Sequence, residues 1–173
     1  MASFSIPPSS LIFLLFSASL FPLPSTSYPL DNICTQTKNP NFCLFVLGPY
    51  SSASLQELAG IVIDTTLASA TRTSSRIGSL LPSTSDPNLR VVYSLCSNYY
   101  SAAISALNAA TDKLKSGNYG DLNSAASTVS GDAAACQKTF SIAPSQPIPI
   151  ATDNDDLDLL SNIFVVVSRI LSG

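Results

Sequence analysis

Four cysteines, Cys34, Cys43, Cys96 and Cys136, are the residues of this chain best suited to covalent chemistry. Almost everything else a catalyst uses is missing. There is no His, so no Ser–His or Cys–His pair can activate a nucleophile. The zinc ligand sets that include His fail for the same reason. The seven glycines are scattered and form no phosphate-cradling loop. Glu57 is the sole Glu, and the one acidic cluster, Asp153, Asp155, Asp156 and Asp158, reads as a helix start, where negative side chains suit the macrodipole. Neither a metal nor a cofactor is expected, and no enzymatic activity.

The compartment follows from the leader. Leu11 to Phe21 is an apolar run of eleven residues, broken by Pro22 and Pro24 and followed by Ser25 and Ser27. That pattern reads as a secretory signal peptide over residues 1–27. A membrane span needs roughly 20 apolar residues, so this run is too short. All four cysteines lie beyond it, and an even number in a secreted chain favours disulfides. A net charge of −3 with no basic patch argues against nucleic acid, whose affinity depends on cations neutralising phosphates. Charged residues are only 11% of the chain, so its surface must be built largely from Ser, Thr, Asn and Ala. No N-x-S/T sequon occurs.

Four amphipathic helices must position these residues. The first is predicted over 55–81, opened by a Ser54/Glu57 capping box and ended by Pro82, with Leu55, Leu58, Val62, Thr66, Ala70, Ile77 and Leu80 inward. The second spans 87–115, with Asp86 as N-cap, Pro87 in the first position and Gly117 closing it. Its seam, Leu89, Tyr93, Cys96, Tyr100, Ala103, Leu107, Ala110 and Leu114, steps by four and three throughout. The third spans 121–140, with Leu122, Ala125, Val129, Ala133, Cys136 and Phe140 inward; the last spans 153–171, with Leu157, Leu160, Phe164, Val167 and Leu171 inward. The apolar "IFVVVSRIL" is short for a lipid-anchor signal and carries Arg169, so it reads as core helix. The fold class is all-α: an up-and-down four-helix bundle over 54–172, preceded by a stapled hairpin over 28–50.

Four cysteines allow three pairings. Cys96 and Cys136 are equidistant from residue 116, in the turn joining their helices, so an antiparallel hairpin brings them level. That pairing leaves Cys34 with Cys43. On the chain-entropy model the long loop contributes about 4 kcal/mol and the short one roughly 2–3 kcal/mol.

The stretches "ICTQTKNPNFC", "LQELAGIVIDTTLASATRTSSRIGSLL", "DPNLRVVYSLC" and "LKSGNYGDLNSAASTVSGDAAACQKTF" resemble the plant pectin methylesterase inhibitor and invertase inhibitor family. The resemblance runs from about Ile33 to Leu171. It implies a four-helix bundle with an N-terminal hairpin, one disulfide in the hairpin and one between the second and third bundle helices. It also implies a protein inhibitor of the cell wall and apoplast, without catalytic residues of its own.

Within the family, esterase inhibitors lay bundle helices across the enzyme's cleft, and invertase inhibitors plug the active site with a Pro-Lys-Phe tripeptide. Here "NYGDL", Asn118 to Leu122, stands in the tripeptide's place, which points to pectin methylesterase as partner and makes invertase the alternative. Two departures accompany this. Ala135 stands where esterase inhibitors often have Thr, and Asn98, Ser101, Ser105 and Asn108 stand where acidic residues are usual, leaving Asp112. The candidate contact positions are Asn98, Tyr99, Ser105 and Asp112 on the second bundle helix, with Asn123, Ser127 and Ser130 on the third. Tyr99 lies off the seam and is expected on the surface. A wall or pollen protein that keeps the scaffold without inhibiting is the competing reading of another class. A hydrophobic-tunnel carrier is disfavoured, because Ala-rich seams draw helices close and leave little cavity.

Overall fold

The computed structural model describes residues 27–145 and 147–173. The expected signal peptide therefore lies, but for Ser27, outside the described residues. Two short helices, α1 (Asp31–Cys34) and α2 (Pro40–Leu47), form the N-terminal hairpin. Four long ones succeed them: α3 (Leu55–Ser83), α4 (Pro87–Lys115), α5 (Tyr119–Thr139) and α6 (Ala151–Ser172). Among the described residues there is no strand, and no helix is long and apolar enough to cross a membrane. Each long helix packs on two others, α3 on α4, α4 on α5, α5 on α6 and α6 back on α3, which is the closed square of an up-and-down bundle.

The helix ends are set by side chains the sequence advertises. The Ser54 side chain accepts from the Glu57 N–H while the Glu57 carboxylate accepts from the Ser54 N–H at 2.8 Å. Asp86 Oδ1 accepts from the N–H groups of Asn88 and Leu89 at 2.8 and 2.9 Å, ahead of Pro87. At the far end of α4, Gly117 has a φ of 70°, with N–H bonds from Gly117 to Leu114 O and from Asn118 to Lys113 O. This paired closure needs a left-handed residue that glycine adopts without a Cβ clash.

Three expectations shift. Pro82 does not end α3 but sits inside its last turn, and the Thr84 N–H still reaches Leu80 O. A proline one residue from the helix end forfeits a single N–H bond, and only the final turn has to accommodate its ring. Helix α5 starts two residues before the expected Asp121, because Asn118 caps it, and tightens into a 3-10 turn from Phe140. Its buried seam uses Ala126 and Thr139, while Ala125 and Phe140 are half-buried. Helix α6 also starts two residues early, at Ala151.

The core contains one polar knot. Tyr100 Oη donates to Asn154 Oδ1 at 3.3 Å, and Asn154 Nδ2 donates to Ala133 O at 3.2 Å and Gln137 Oε1 at 2.9 Å. Tyr100 and Asn154 are fully buried, and burial pushes the Tyr100 phenol well above its ordinary pKa. The knot ties α4, α5 and α6 at one level, where a register slip would strand buried polar groups.

The hairpin is held to the bundle from outside. Lys38 Nζ meets both Asp158 oxygens at 2.8 and 2.9 Å, the Lys38 N–H donates to Asn162 Oδ1 at 2.7 Å, and Arg169 donates to Gln36 Oε1 at 2.8 Å. Arg76 of α3 pairs with Asp153. The acidic start of α6, read from sequence only as a helix start, thus uses two of its four carboxylates to tie α3 and the hairpin to α6.

Candidate functional site

The two disulfides join the cysteines in the pairs that spacing suggests. Cys34 and Cys43 have Cα atoms 5.4 Å apart, and Cys96 and Cys136 4.7 Å apart. Among the described residues no cysteine is free, and no group of His, Cys, Asp or Glu is arranged to hold a metal ion. The candidate contact positions lie on α4 and α5, whose relative placement follows from two crosslinks. The Cys96–Cys136 bond fixes their level, and the Lys113 Nζ–Asp121 Oδ2 ion pair, at 2.8 Å, fixes which flanks face each other.

Helical spacing extends those flanks into stripes. On α4, Tyr99 and Ala106 share the flank of Lys113 at heptad spacing, so they border α5. On α5, Asp132 lies three turns beyond Asp121 and two turns before Thr139, whose Oγ1 is 3.4 Å from Cys96 Sγ. Asp132 therefore borders α4, together with Thr128 and Ala135. Pairing Cys96 with Cys136 puts Asp132 at the level of Tyr99 and Tyr100.

The seven candidate positions fall into three groups on this frame. Asn98, Ser105 and Asp112 share one stripe of α4 and are all exposed, facing outward. Tyr99 is only half-buried and packs against the core from the groove, so the surface position expected of it is half realised. The α5 residues turn elsewhere. Asn123 accepts from Ser168 of α6 at 3.1 Å, and Gln137, two heptads on, is bound to Asn154 of α6. Ser130 lies midway on that same stripe, half-buried, at the α6 side. Ser127 is exposed between the two flanks. The structure brings Asn98, Ser105 and Asp112 together and directs Asn123 and Ser130 away from them.

Sequence reasoning passed over Asp132. It is half-buried, its Oδ2 is shielded from solvent, and that atom has no hydrogen-bond partner among the described residues. Desolvation raises its carboxyl above the ordinary range. Its spacing from Asp121, three helical turns along the stripe that meets α4, was the available signal. Ser69 Oγ shares the lack of a partner. It borders a groove of about 510 Å³ between the hairpin, α3 and α6, lined by Phe42, Phe45 and Leu160 among others. None of the candidate positions touches that groove.

The candidate surface is a small-residue groove with a polar outer stripe on a disulfide-braced bundle. Comparison with known proteins supplies the family. The family model described as plant invertase/pectin methylesterase inhibitor matches residues 29–165. A curated pectinesterase inhibitor of Actinidia deliciosa is 34% identical over 99% of this chain and 96% of its own. A putative invertase inhibitor of Platanus orientalis is 29% identical over 78% of this chain and 81% of its own. The crystal structure of a mutant form of a pectin methylesterase inhibitor from Arabidopsis superposes with a TM-score of 0.76 at 30% identity, covering 82% of this chain and 95% of that one. The chain belongs to the plant invertase/pectin methylesterase inhibitor family, whose members are inhibitors and not enzymes.

Proposed function

We propose that this chain is a secreted inhibitor of pectin methylesterase, acting in the cell wall and docking on the enzyme through the outer face of α4 and its groove with α5. The observation that carries the reading is full-length similarity to a pectinesterase inhibitor, with weaker and shorter similarity to invertase inhibitors. The α4–α5 turn supports the same choice. Asn118 Oδ1 accepts from the Asp121 N–H, and the Asp121 carboxylate takes donors from Lys113 Nζ and Asn118 Nδ2 at 2.8 and 2.9 Å. The Asn118 and Asp121 side chains, in the tripeptide's place, are thus engaged in closing the turn rather than free to enter a sucrose-cleaving site. The outward stripe Asn98, Ser105 and Asp112 supplies uncharged polar contacts and one carboxylate, while Ala102 and Ala109 beside it let a partner approach the helix closely.

The test is gel filtration of the oxidised protein, without its leader, mixed with a plant pectin methylesterase or with an acid invertase. A new, faster-eluting peak with the esterase alone supports the reading. A complex with invertase alone replaces it with the alternative.

A further inference from the structure

We propose that the exposed face of α3 beside the hairpin is a self-association surface, through which two copies of this chain pair about a twofold axis. The proposal goes beyond inhibition of the enzyme, because this face lies on the α3–α6 edge of the bundle, opposite the α4–α5 edge proposed for docking.

Two observations carry it. The first is the groove of about 510 Å³ that Phe42, Phe45 and Val46 of α2 and Leu160 of α6 help to line. Phe45 is 80% exposed, more than any other large apolar side chain among the described residues. An aromatic ring standing in water beside an apolar groove marks a surface that a partner covers. The second observation, the charge pattern of α3, identifies the partner. Asp64, Ala68 and Arg72 follow at four-residue steps, all exposed and all lining the groove. Asp64 and Arg72 stand two turns apart, about 12 Å along the helix, too far to pair with each other. Neither makes an ion pair elsewhere among the described residues, whereas Lys38, Arg76 and Lys113 all do.

This stripe is complementary to itself. One charge of each sign stands equally far on either side of a small residue, so a twofold axis at Ala68 runs the two α3 helices antiparallel. Each Arg72 then lies opposite the other copy's Asp64. Ala68 lets the helices approach closely at the axis, and the hairpin rim of each copy, with Phe45, is laid against the other bundle and out of water. The Arg76–Asp153 pair sets the level of α6, so Asp156, one turn along, comes near Arg72 on the same groove. In the pair each guanidinium therefore sits between its own Asp156 and the other copy's Asp64, which suits its fork of five donors. The consequence is a divalent inhibitor. Two docking faces on one particle raise avidity for enzyme molecules held close together, with no new contact to either.

The test is sedimentation velocity of the oxidised protein, without its leader, over a concentration series at low and high salt. The expected particle has twice the mass of one chain and dissociates more readily as salt screens its exposed pairs. Asp64→Arg or Arg72→Asp alone should weaken the dimer at least about tenfold, because like charges then meet at both ends of the stripe. The double variant Asp64→Arg/Arg72→Asp re-forms both pairs in exchanged places and should restore it. All these side chains are exposed, so each variant should melt with the parent protein. Inhibition of dissolved esterase should be the same for parent and variants, which separates this proposal from the proposed function. A monomer at every concentration would overturn the self-association, and an Arg72→Asp variant that then bound the esterase less well would give the face to the enzyme. A dimer indifferent to both reversals, or one that the double variant fails to restore, would overturn the pairing as well.

Discussion

Tyr100 on α4 and Asn154 on α6 meet across the centre of the bundle at 3.3 Å, both fully buried, and the Asn154 amide passes the bond on to Ala133 and Gln137 of α5. Replacing Asn154 by Ala leaves the Tyr100 hydroxyl and the Ala133 carbonyl without these partners. The expected loss is about 2–4 kcal/mol, read as a lower denaturant midpoint with an unchanged slope. Tyr100→Phe, which removes only one member, should cost about 1 kcal/mol.

The two disulfides should behave differently. Removing Cys96–Cys136 by paired Ser substitutions frees a loop that spans two bundle helices, and a loss of about 4 kcal/mol should lower the thermal midpoint steeply. Removing Cys34–Cys43 loosens a hairpin that contacts the bundle through the buried Ile33 and Leu47 and through Lys38 and Gln36. Inhibition should survive that change, because the proposed docking face lies on α4 and α5. An inactive but folded hairpin variant would place part of the site on the hairpin.

Much of this was legible in the sequence, and the reason is local. Capping by Ser54, Asp86 and Gly117 needs only neighbouring residues, and the heptad seam of α4 names its own inner face. The rotation of α5 is different. Its small, weakly graded Ala and Ser residues leave the inward direction ambiguous by about one residue, so Ala126 and Thr139 go inward where Ala125 and Phe140 were expected. That rotation depends on crosslinks to other helices, Cys136 to Cys96 and Asn123 to Ser168. It turns Asn123 and Ser130 toward α6 and brings Asp132 to the α4 groove. Asn154 was hidden for a related reason: a polar residue within an acidic run carries no mark of burial.

Tyr99 packs half-buried against the core, so its truncation should affect two properties. Tyr99→Ala is expected to lower stability by about 1–2 kcal/mol through lost apolar contact and to weaken inhibition. Tyr99→Phe keeps the packing, so any effect it has on inhibition at constant melting temperature reports the hydroxyl at the interface.

The pH dependence of stability has two opposing parts. Hydrogen bonds from Ser54 hold Glu57 below its ordinary pKa, and Lys113 holds Asp121 below its own. Both contribute stability that is complete above the usual carboxylate range and is lost as pH falls through their depressed values. Asp132 runs the other way. Its raised pKa means that the folded state binds more protons than the unfolded one, so its contribution falls as pH rises from about 4 through the folded value. The melting-temperature advantage of Asp132→Asn should therefore be present at neutral pH and shrink toward pH 3, as thermal melts across that range will show.

Gly131 sits in the exposed surface of α5, and a Cβ added there meets nothing. Gly131→Ala should stabilise the protein by up to about 1 kcal/mol, measured by denaturant unfolding. A loss instead would mean that the helix uses glycine's freedom at this point.

The central claim, that this bundle inhibits pectin methylesterase, is tested most directly by titrating the oxidised protein into a fixed, active concentration of the esterase at mildly acidic pH, with an acid invertase in parallel. Esterase activity should decline in proportion to added protein and be abolished near equimolar amounts, while invertase keeps its full rate. Full esterase activity in the presence of a large excess of folded protein would contradict the claim.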